Sequence, residues 1–160
     1  MAIQIRELEC GAVLLVEPMA GVKSCAMSWT LPAGASAEPE DKLGLSGIVA
    51  EMLQRGAGGL SSRAHADALD AAGVSRSLEA GVRTARLGAT FVGQDIDRAV
   101  PLLADMIVRP GLEKEAFAPS QRLAIQELDA LTDDPQEWVG IEAMARHLAA
   151  PLNRSTYGTR

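Results

Sequence analysis

Aromatic residues are scarce in this chain: two tryptophans, two phenylalanines and one tyrosine make up 3% of its 160 residues. A core with so few rings must be aliphatic. Apolar residues nevertheless reach 48%, which is typical of a soluble globular protein and not of a disordered one. The length suits one domain and is too short for two of ordinary size. We therefore predict a single domain over residues 1–160, with a core of Leu, Val, Ile, Met and Ala.

Positive charge is also in deficit. Lysine and arginine number 15 against 21 aspartates and glutamates, which gives a net charge of -6 and an isoelectric point near 4.9. A nucleic-acid-binding domain needs a basic surface, and anionic lipid attracts clusters of lysine and arginine. The composition therefore argues against nucleic acid and against a membrane surface as partners.

Long apolar runs and cysteine motifs are missing as well. No stretch has the roughly 18 consecutive apolar residues of a membrane span. The N-terminal residues "MAIQIRELECGAVLLVEP" lack the charged and apolar regions of a secretory signal. Cys10 and Cys25 fit no metal-binding or redox spacing, so we interpret them as two reduced thiols in the core or in strands. Together these absences predict a cytoplasmic protein.

The pattern of apolar residues predicts three strands, two helices, two strands and three helices. This order is typical of an α+β domain whose helices pack on one face of a mainly antiparallel sheet. The loop-like tail "PLNRSTYGTR" suggests a fragment of a longer, two-domain subunit. The expected strands cover residues 3–8, 12–17 and 22–32 and a pair within 74–93, and the expected helices cover 44–56, 61–73, 95–111, 119–135 and 136–150.

The first helix, "GLSGIVAEMLQRG", has an apolar stripe, but its other face offers little. That face presents Gly47, Ala50, Glu51 and Gln54. Residues 47 and 51 are four apart, the spacing at which two helical side chains can hold one metal ion. A glycine in mid-helix costs roughly 1 kcal/mol relative to alanine, so Gly47 needs a packing or an ancestral reason. Either another backbone approaches this shallow groove, or the face is an ordinary solvent-exposed one.

With its ordered segments taken together, the chain resembles the N-terminal domain of the pitrilysin/insulinase family of zinc peptidases over about residues 5–158. "GVKSCAMSWTLPAGASAEPEDKLGLSGIVAEMLQRGAG" is similar to the family's strand, loop and metal-binding helix, which carries the inverted H-x-x-E-H motif. "LDAAGVSRSLEAGVRTARLGATFVGQDIDRAVPLLADMIVRPGLEKEAF" is similar to the strand pair and the helix that follow. "QRLAIQELDALTDDP" resembles the helix that supplies a third ligand, and "STYGT" resembles the loop beyond it.

The resemblance implies that the zinc motif has been lost. Gly47 stands at the first histidine, Ala50 at the general-base glutamate and Glu51 at the second histidine. Without the imidazoles a catalytic zinc ion cannot be held, and without the base no water is activated. We therefore expect no catalytic residue, no metal ligand and no cofactor in this chain, although zinc is the cofactor of its relatives.

The third zinc ligand of the family, a glutamate, has a match in Glu127, with Gln126 and Leu128 as the neighbouring registers. One surviving carboxylate does not replace the missing ligands, although Glu51 with Glu127 could bind a hard cation weakly. The two histidines, His65 and His147, match no ligand position. We interpret each as an exposed residue on a helix surface.

The function implied by the resemblance is that of a silent partner. Two-gene members pair a zinc-bearing subunit with one that lacks the motif, and the two close around a peptide. The silent subunit often holds the peptide through an Arg and a Tyr of a second domain, outside these 160 residues. We expect a non-catalytic subunit that associates with a zinc-bearing homologue or with itself and helps to enclose a peptide substrate. The alternatives are a scaffold subunit, as in respiratory assemblies, and an active zinc peptidase with atypical ligands.

Overall fold

The computed structural model of the chain describes residues 2–159 and follows the predicted order of elements. The strands are β1 (Gln4–Glu7), β2 (Val13–Val16), β3 (Ser24–Leu31), β4 (Ser75–Ala80) and β5 (Ala85–Val92). The helices are α1 (Leu45–Leu53), α2 (Ser62–Ala71), α3 (Ile96–Val108), α4 (Lys114–Ala130) and α5 (Pro135–His147). The predicted α+β class is therefore confirmed.

The strands form two sheets, both antiparallel. β1 and β2 make a hairpin closed by the turn at residues 9–11, where the amide of Leu8 donates to the carbonyl of Ala12 at 2.8 Å. β3, β5 and β4 form a second sheet in that order, with Trp29 opposite Leu87 and Leu87 opposite Leu78. The predicted antiparallel sheet is thus a three-stranded sheet with a separate hairpin. β4 is one of the two edge strands of the three-stranded sheet.

The core lies between β5 and the helices α2 and α3. One side of β5 is buried along its length, because Ala85, Leu87, Ala89 and Phe91 alternate with exposed or half-buried residues. Fully buried aliphatic residues of the two helices pack against this side: Leu69, Ala99, Leu103 and Met106. Among the described residues of these helices, His65 is the one polar residue that is also fully buried. The prediction of an aliphatic core is confirmed.

Two prolines lie inside helices, and one of these helices begins earlier than expected. Pro101 lies inside α3, which begins at Ile96, one residue after the expected start. The expected start of α4 near Pro119 is wrong, because this helix begins at Lys114. Each proline is the sixth residue of its helix, so it removes only one intrahelical hydrogen bond near the N-terminus.

The prediction that His65 is exposed on a helix surface is wrong. Its side chain is completely buried, and Nε2 lies 3.1 Å from the carbonyl oxygen of Leu102, to which it donates in the Nε2–H tautomer. The residues next to His65 in the sequence are polar or small, which predicts an exposed position. The ring is buried because α3 covers it. His147 is exposed, as expected.

Both cysteines are free, but only one lies in a strand. Cys25 is half-buried on β3 against the core, as expected. Cys10 is exposed in the hairpin turn, so the expectation of a core or strand position is wrong for this residue. Cys10 precedes Gly11, whose positive φ of 82° forms part of the turn between β1 and β2.

The β1–β2 hairpin has apolar residues exposed on both of its faces. Three of them, Ile5, Val13 and Leu15, are more than 60% exposed. Two strands alone make a marginal structure in water, because neither face is covered. As for the helices, none within residues 2–159 combines the length and the apolarity needed to cross a membrane.

Candidate functional site

The sparse face of α1 forms one wall of a cleft. The cleft has a volume of about 580 Å³ and lies between α1, β4, α4 and the start of α5, with residues 156–157 at its side. The helix residues that the sequence left without an apolar role all line it: Gly47, Ala50, Glu51 and Gln54. The open face of α1 is therefore turned toward a cleft and not toward bulk solvent.

The cleft has an apolar floor and an acidic rim. Buried residues form the floor: Ala50, Leu78, Ser120 and Leu131, of which Ser120 is the only polar one and donates to the carbonyl of Ala116 at 2.9 Å. Exposed carboxylates form the acidic rim: Glu79, Glu127 and Glu137. The cleft thus combines an apolar surface at its floor with negative charge at its rim.

Another backbone segment approaches α1 at Gly47, as one of the two interpretations of this face predicted, but the approach leaves room for a larger residue than glycine. A Cβ atom at Gly47 would lie 3.6 Å from the carbonyl oxygen of Thr156, an ordinary contact distance. The segment 152–158, here called the strap, thus runs along α1. Its end is much tighter, since a Cβ at Gly158 would lie 2.5 Å from Cα of Gly44. Both of these glycines have positive φ values, of 72° and 93°, so the contact requires glycine on each side.

Two charged side chains that were not predicted as site residues fix α1 and the strap in place. The buried carboxylate of Glu38 accepts hydrogen bonds from the amides of Gly44 at 2.8 Å and Ser46 at 2.7 Å, and so caps the N-terminus of α1. Arg154 of the strap donates to the carbonyls of Ala35 and Glu38. One loop therefore fixes both α1 and the strap that borders the cleft, and only the tertiary fold reveals it.

Glu51 is already engaged by a neighbour on its own helix. Its Oε1 lies 2.6 Å from Nη2 of Arg55, one turn further along α1. Both side chains are about one-third exposed, so water still reaches the pair. The carboxylate at position 51 thus has a cationic partner without any bound ion.

Glu127 lies on the side of α4 that faces the cleft. The same side contributes Ser120, Leu123 and Ala124, at the spacing expected for one helical face. The alternative registers, Gln126 and Leu128, do not line the cleft. The geometry therefore favours Glu127 as the α4 carboxylate that shares a site with α1.

Tyr157, from the strap, enters the cleft beside these carboxylates. Burial is the largest cause that raises the pKa of its phenol above the ordinary 10.0, followed by the negative charges of Glu137, Glu127 and Asp134. The phenol is therefore neutral at physiological pH. Asp134 also caps α5, since its Oδ1 accepts from the amide of Glu137 at 3.0 Å. From the sequence, "STYGT" resembled a family loop, but the position of its tyrosine in the cleft was not predicted.

The residues of the cleft do not fit a zinc ion. Zinc sites use three or four nitrogen, sulfur or carboxylate ligands at close range. Of the 17 residues that line the cleft none is a histidine or a cysteine, and within residues 2–159 no group of three or more His, Cys, Asp and Glu side chains is placed to hold a metal ion. Glu51 is paired with Arg55, and no step of a zinc-dependent reaction can be built on these groups.

Comparison with known proteins identifies the family of the chain. Residues 13–160 match the family described as Insulinase (Peptidase family M16), which is most of the chain. The chain belongs to the M16 family. No curated protein matches the sequence. The resemblance described above is thus confirmed for the M16 family and its N-terminal fold.

Solved structures share the M16 fold at low sequence identity. The inactive domain of an M16 peptidase from Pseudomonas fluorescens superposes with a TM-score of 0.87 at 17% identity over 99% of this chain. Pitrilysin gives 0.81 at 21% identity over 99%, and a protease from Helicobacter pylori gives 0.70 at 13% over 79%. This M16 chain spans 39%, 17% and 30% of those three chains, respectively. At these identities the likeness establishes the fold.

Proposed function

We propose that this M16 domain is catalytically silent, pairs with a zinc-bearing homologue and helps to enclose a peptide substrate. The observation that carries the proposal is the face of α1 in the cleft, which presents Gly47, Ala50 and Glu51. In the family resemblance these are the positions of the first histidine, the general base and the second histidine. By this resemblance, the cleft occupies the position of a peptidase active site, but other residues replace the groups that bind zinc and activate water.

An edge strand beside the cleft supports a role in holding peptides. β4 pairs with β5 along one side, and no other strand of the described residues pairs with it. Residues 78–80 of this strand line the cleft. An extended peptide can add to such an edge through main-chain hydrogen bonds, which do not depend on its sequence, while its side chains enter the cleft.

The proposal is tested by combining the protein with a zinc-bearing M16 homologue from the same organism. We expect a stable complex in size-exclusion chromatography and a kcat/KM for peptide cleavage that exceeds that of the homologue alone. Substrate peptides N-methylated at alternate residues should lose the gain, because methylation removes the donors that a strand needs. The proposal would be contradicted if the complex of the two proteins cleaved the unmethylated peptide no faster than the homologue alone does.

A scaffold role is the second candidate, and the β1–β2 hairpin favours it. Its exposed apolar side chains form a surface that another protein chain could cover. A scaffold predicts a stable assembly whose peptidase activity does not depend on this chain. The cleavage assay therefore separates the two candidates.

A further inference from the structure

One half-buried arginine has no partner. Within residues 2–159 three arginines are half-buried, Arg55, Arg76 and Arg154, and every other lysine and arginine there is exposed. Arg55 pairs with Glu51, and Arg154 donates to two carbonyl groups. Arg76 makes no hydrogen bond and no ion pair among these residues, and its buried Nε donates to no acceptor. Because an unpaired charge is costly to bury, such a guanidinium is expected to bind an anion.

The strand β4 places Arg76 at the end of the cleft. Side chains two residues apart on a strand share one face, so Arg76, Leu78 and Ala80 form a row. Leu78 and Ala80 line the cleft, and Arg76 continues the row about 7 Å beyond Leu78. β4 is also the edge strand at which the proposed function places the peptide. The unpaired guanidinium therefore lies beside the path of a bound peptide.

The period of a strand determines which part of the peptide meets Arg76. A peptide strand paired with β4 presents every second side chain to the face that carries this row. If one of these side chains contacts Leu78, the next one on the same face is opposite Arg76. A carboxylate suits that place, because a guanidinium holds it through two parallel hydrogen bonds. A lysine or arginine there would meet a like charge.

We propose that Arg76 binds a carboxylate of the peptide, two residues away from an apolar side chain that packs on Leu78. This inference rests on the proposed function, because it names a group of the peptide that the same strand holds. The carboxylate belongs either to an aspartate or glutamate side chain or to the C-terminus of the peptide, since both present the same chemistry. In either case Arg76 sets the register of the peptide along β4.

The test uses fluorescein-labelled short peptides with one central leucine. Glutamate or glutamine stands two residues before the leucine, two residues after it, or next to it. A further pair ends two residues after the leucine, either as a free carboxylate or as an amide. Binding to the protein is measured by fluorescence anisotropy at low salt.

The expected gain depends on the spacing. A carboxylate two residues from the leucine should strengthen binding roughly two- to fivefold over its neutral counterpart, on the side that the direction of the peptide selects. A glutamate next to the leucine should give no gain, because its side chain points to the other face of the peptide strand. The gain should fall as salt is added.

Variants of Arg76 locate the effect. Arg76→Met keeps the aliphatic stem but removes the charge, so the gain should disappear. Arg76→Lys keeps the charge without the planar fork and should retain part of the gain. Arg122→Met is the matched control, because Arg122 is exposed on α4, does not line the cleft and loses the same charge. That variant should leave the gain unchanged.

Urea unfolding distinguishes a binding role from a structural one. Arg76→Met should be at least as stable as the native protein, because it removes a half-buried charge that has no partner within the described residues. A clear loss of stability would mean that the guanidinium is used within the fold, and it would overturn the inference.

The binding outcomes separate this inference from the proposed function. Equal binding of each charged peptide and its neutral counterpart, or a gain that Arg76→Met leaves intact, would overturn the carboxylate site while the peptide-holding role stands. Failure of every peptide to bind would overturn both. A gain with internal glutamate would assign the site to acidic side chains, and a gain with the free C-terminus alone would assign it to the terminal carboxylate. Either gain, if lost in Arg76→Met, would support the inference.

Discussion

The contact between α2, α3 and β5 differs from the cleft between α1, α4 and α5 in what the helices bury. In the first region Leu69, Leu103 and Met106 are completely buried. In the second, α4 buries only Ser120 among its described residues, and α5 buries none. The comparison indicates that the first region stabilises the fold. The second region contributes less to stability and can therefore vary in shape and charge. A ligand site is expected in such a region.

The largest difference should appear when one leucine is truncated in each region. Leu103→Ala removes a fully buried side chain and should cost about 2–5 kcal/mol of unfolding free energy. Leu123→Ala, on the wall of the cleft, removes a side chain that is already 37% exposed and should cost about 1 kcal/mol or less. Urea unfolding monitored by circular dichroism measures both. Equal costs would show that the two regions do not differ as described.

Within the cleft region, a substitution in the strap should cause the largest loss of unfolding free energy. Gly158→Ala places a Cβ in contact with the backbone of Gly44 at a positive φ, so the strap must move, at a cost of roughly 1–3 kcal/mol. Gly140→Ala on α5 is the matched control, because no atom lies within 4 Å of its new Cβ. The control should be neutral or stabilising by up to about 1 kcal/mol. A Gly158→Ala protein as stable as the native one would contradict the tight contact.

The electrostatics of the cleft can be read from its one phenol. Tyr157 is the single tyrosine of the sequence, so the ultraviolet absorbance of tyrosinate reports its pKa alone. We expect a value above 10.0, mainly because of burial, and a lower value in Glu137→Gln, which removes the largest of the neighbouring charges. Glu142→Gln is the control and should leave the pKa of Tyr157 unchanged, because Glu142 lies on α5 outside the cleft and pairs with Arg146 at 3.1 Å. An unshifted native pKa would argue against a Tyr157 that sits in the cleft.

The same phenol makes stability depend on alkaline pH. A raised pKa means that the folded chain prefers the neutral phenol more than the unfolded chain does. This contribution is therefore fully present below pH 10.0 and is lost as the pH rises through the folded-state pKa. Tyr157→Phe should flatten that part of the curve of unfolding free energy against pH. A curve that Tyr157→Phe leaves unchanged would show that another group causes the loss.

The smallest effect should come from the ion pair on α1. Glu51→Gln weakens a partly exposed pair one helical turn apart, and the expected cost is about 0.5 kcal/mol, falling further at high salt. Denaturant unfolding at two salt concentrations measures this. A cost of several kcal/mol would contradict this expectation and would mean that Glu51 is essential for the structure of the cleft.

The order of elements could be predicted because apolar periodicity is local. Alternation at residues 85–91 indicated a half-buried strand, and the structure buries that face of β5. Helix ends were harder where capping signals were weak, as at Lys114, where no side chain caps the helix and a proline lies further along. The family resemblance added the position of the site on α1.

The rest depended on contacts between distant parts of the chain. Whether His65 is exposed is decided by α3, which lies more than 30 residues further on and covers its ring. Likewise, Arg154 reaches the carbonyl of Glu38, and Tyr157 enters the cleft, only because the strap runs along α1. The periodicity does not identify such residues, and the family-like segment "STYGT" did not indicate what Tyr157 contacts, because these roles come from tertiary packing.

The proposed function requires that the cleft face of α1, with Glu127, is a vacated zinc site. The triple variant Gly47→His, Ala50→Glu and Glu51→His restores the family motif, and atomic emission measures the zinc that it binds. We expect about one zinc ion per chain for the triple variant, its loss when Glu127→Gln is added, and no stoichiometric zinc in the native protein. A folded triple variant without zinc, or stoichiometric zinc in the native protein, would contradict the proposed function.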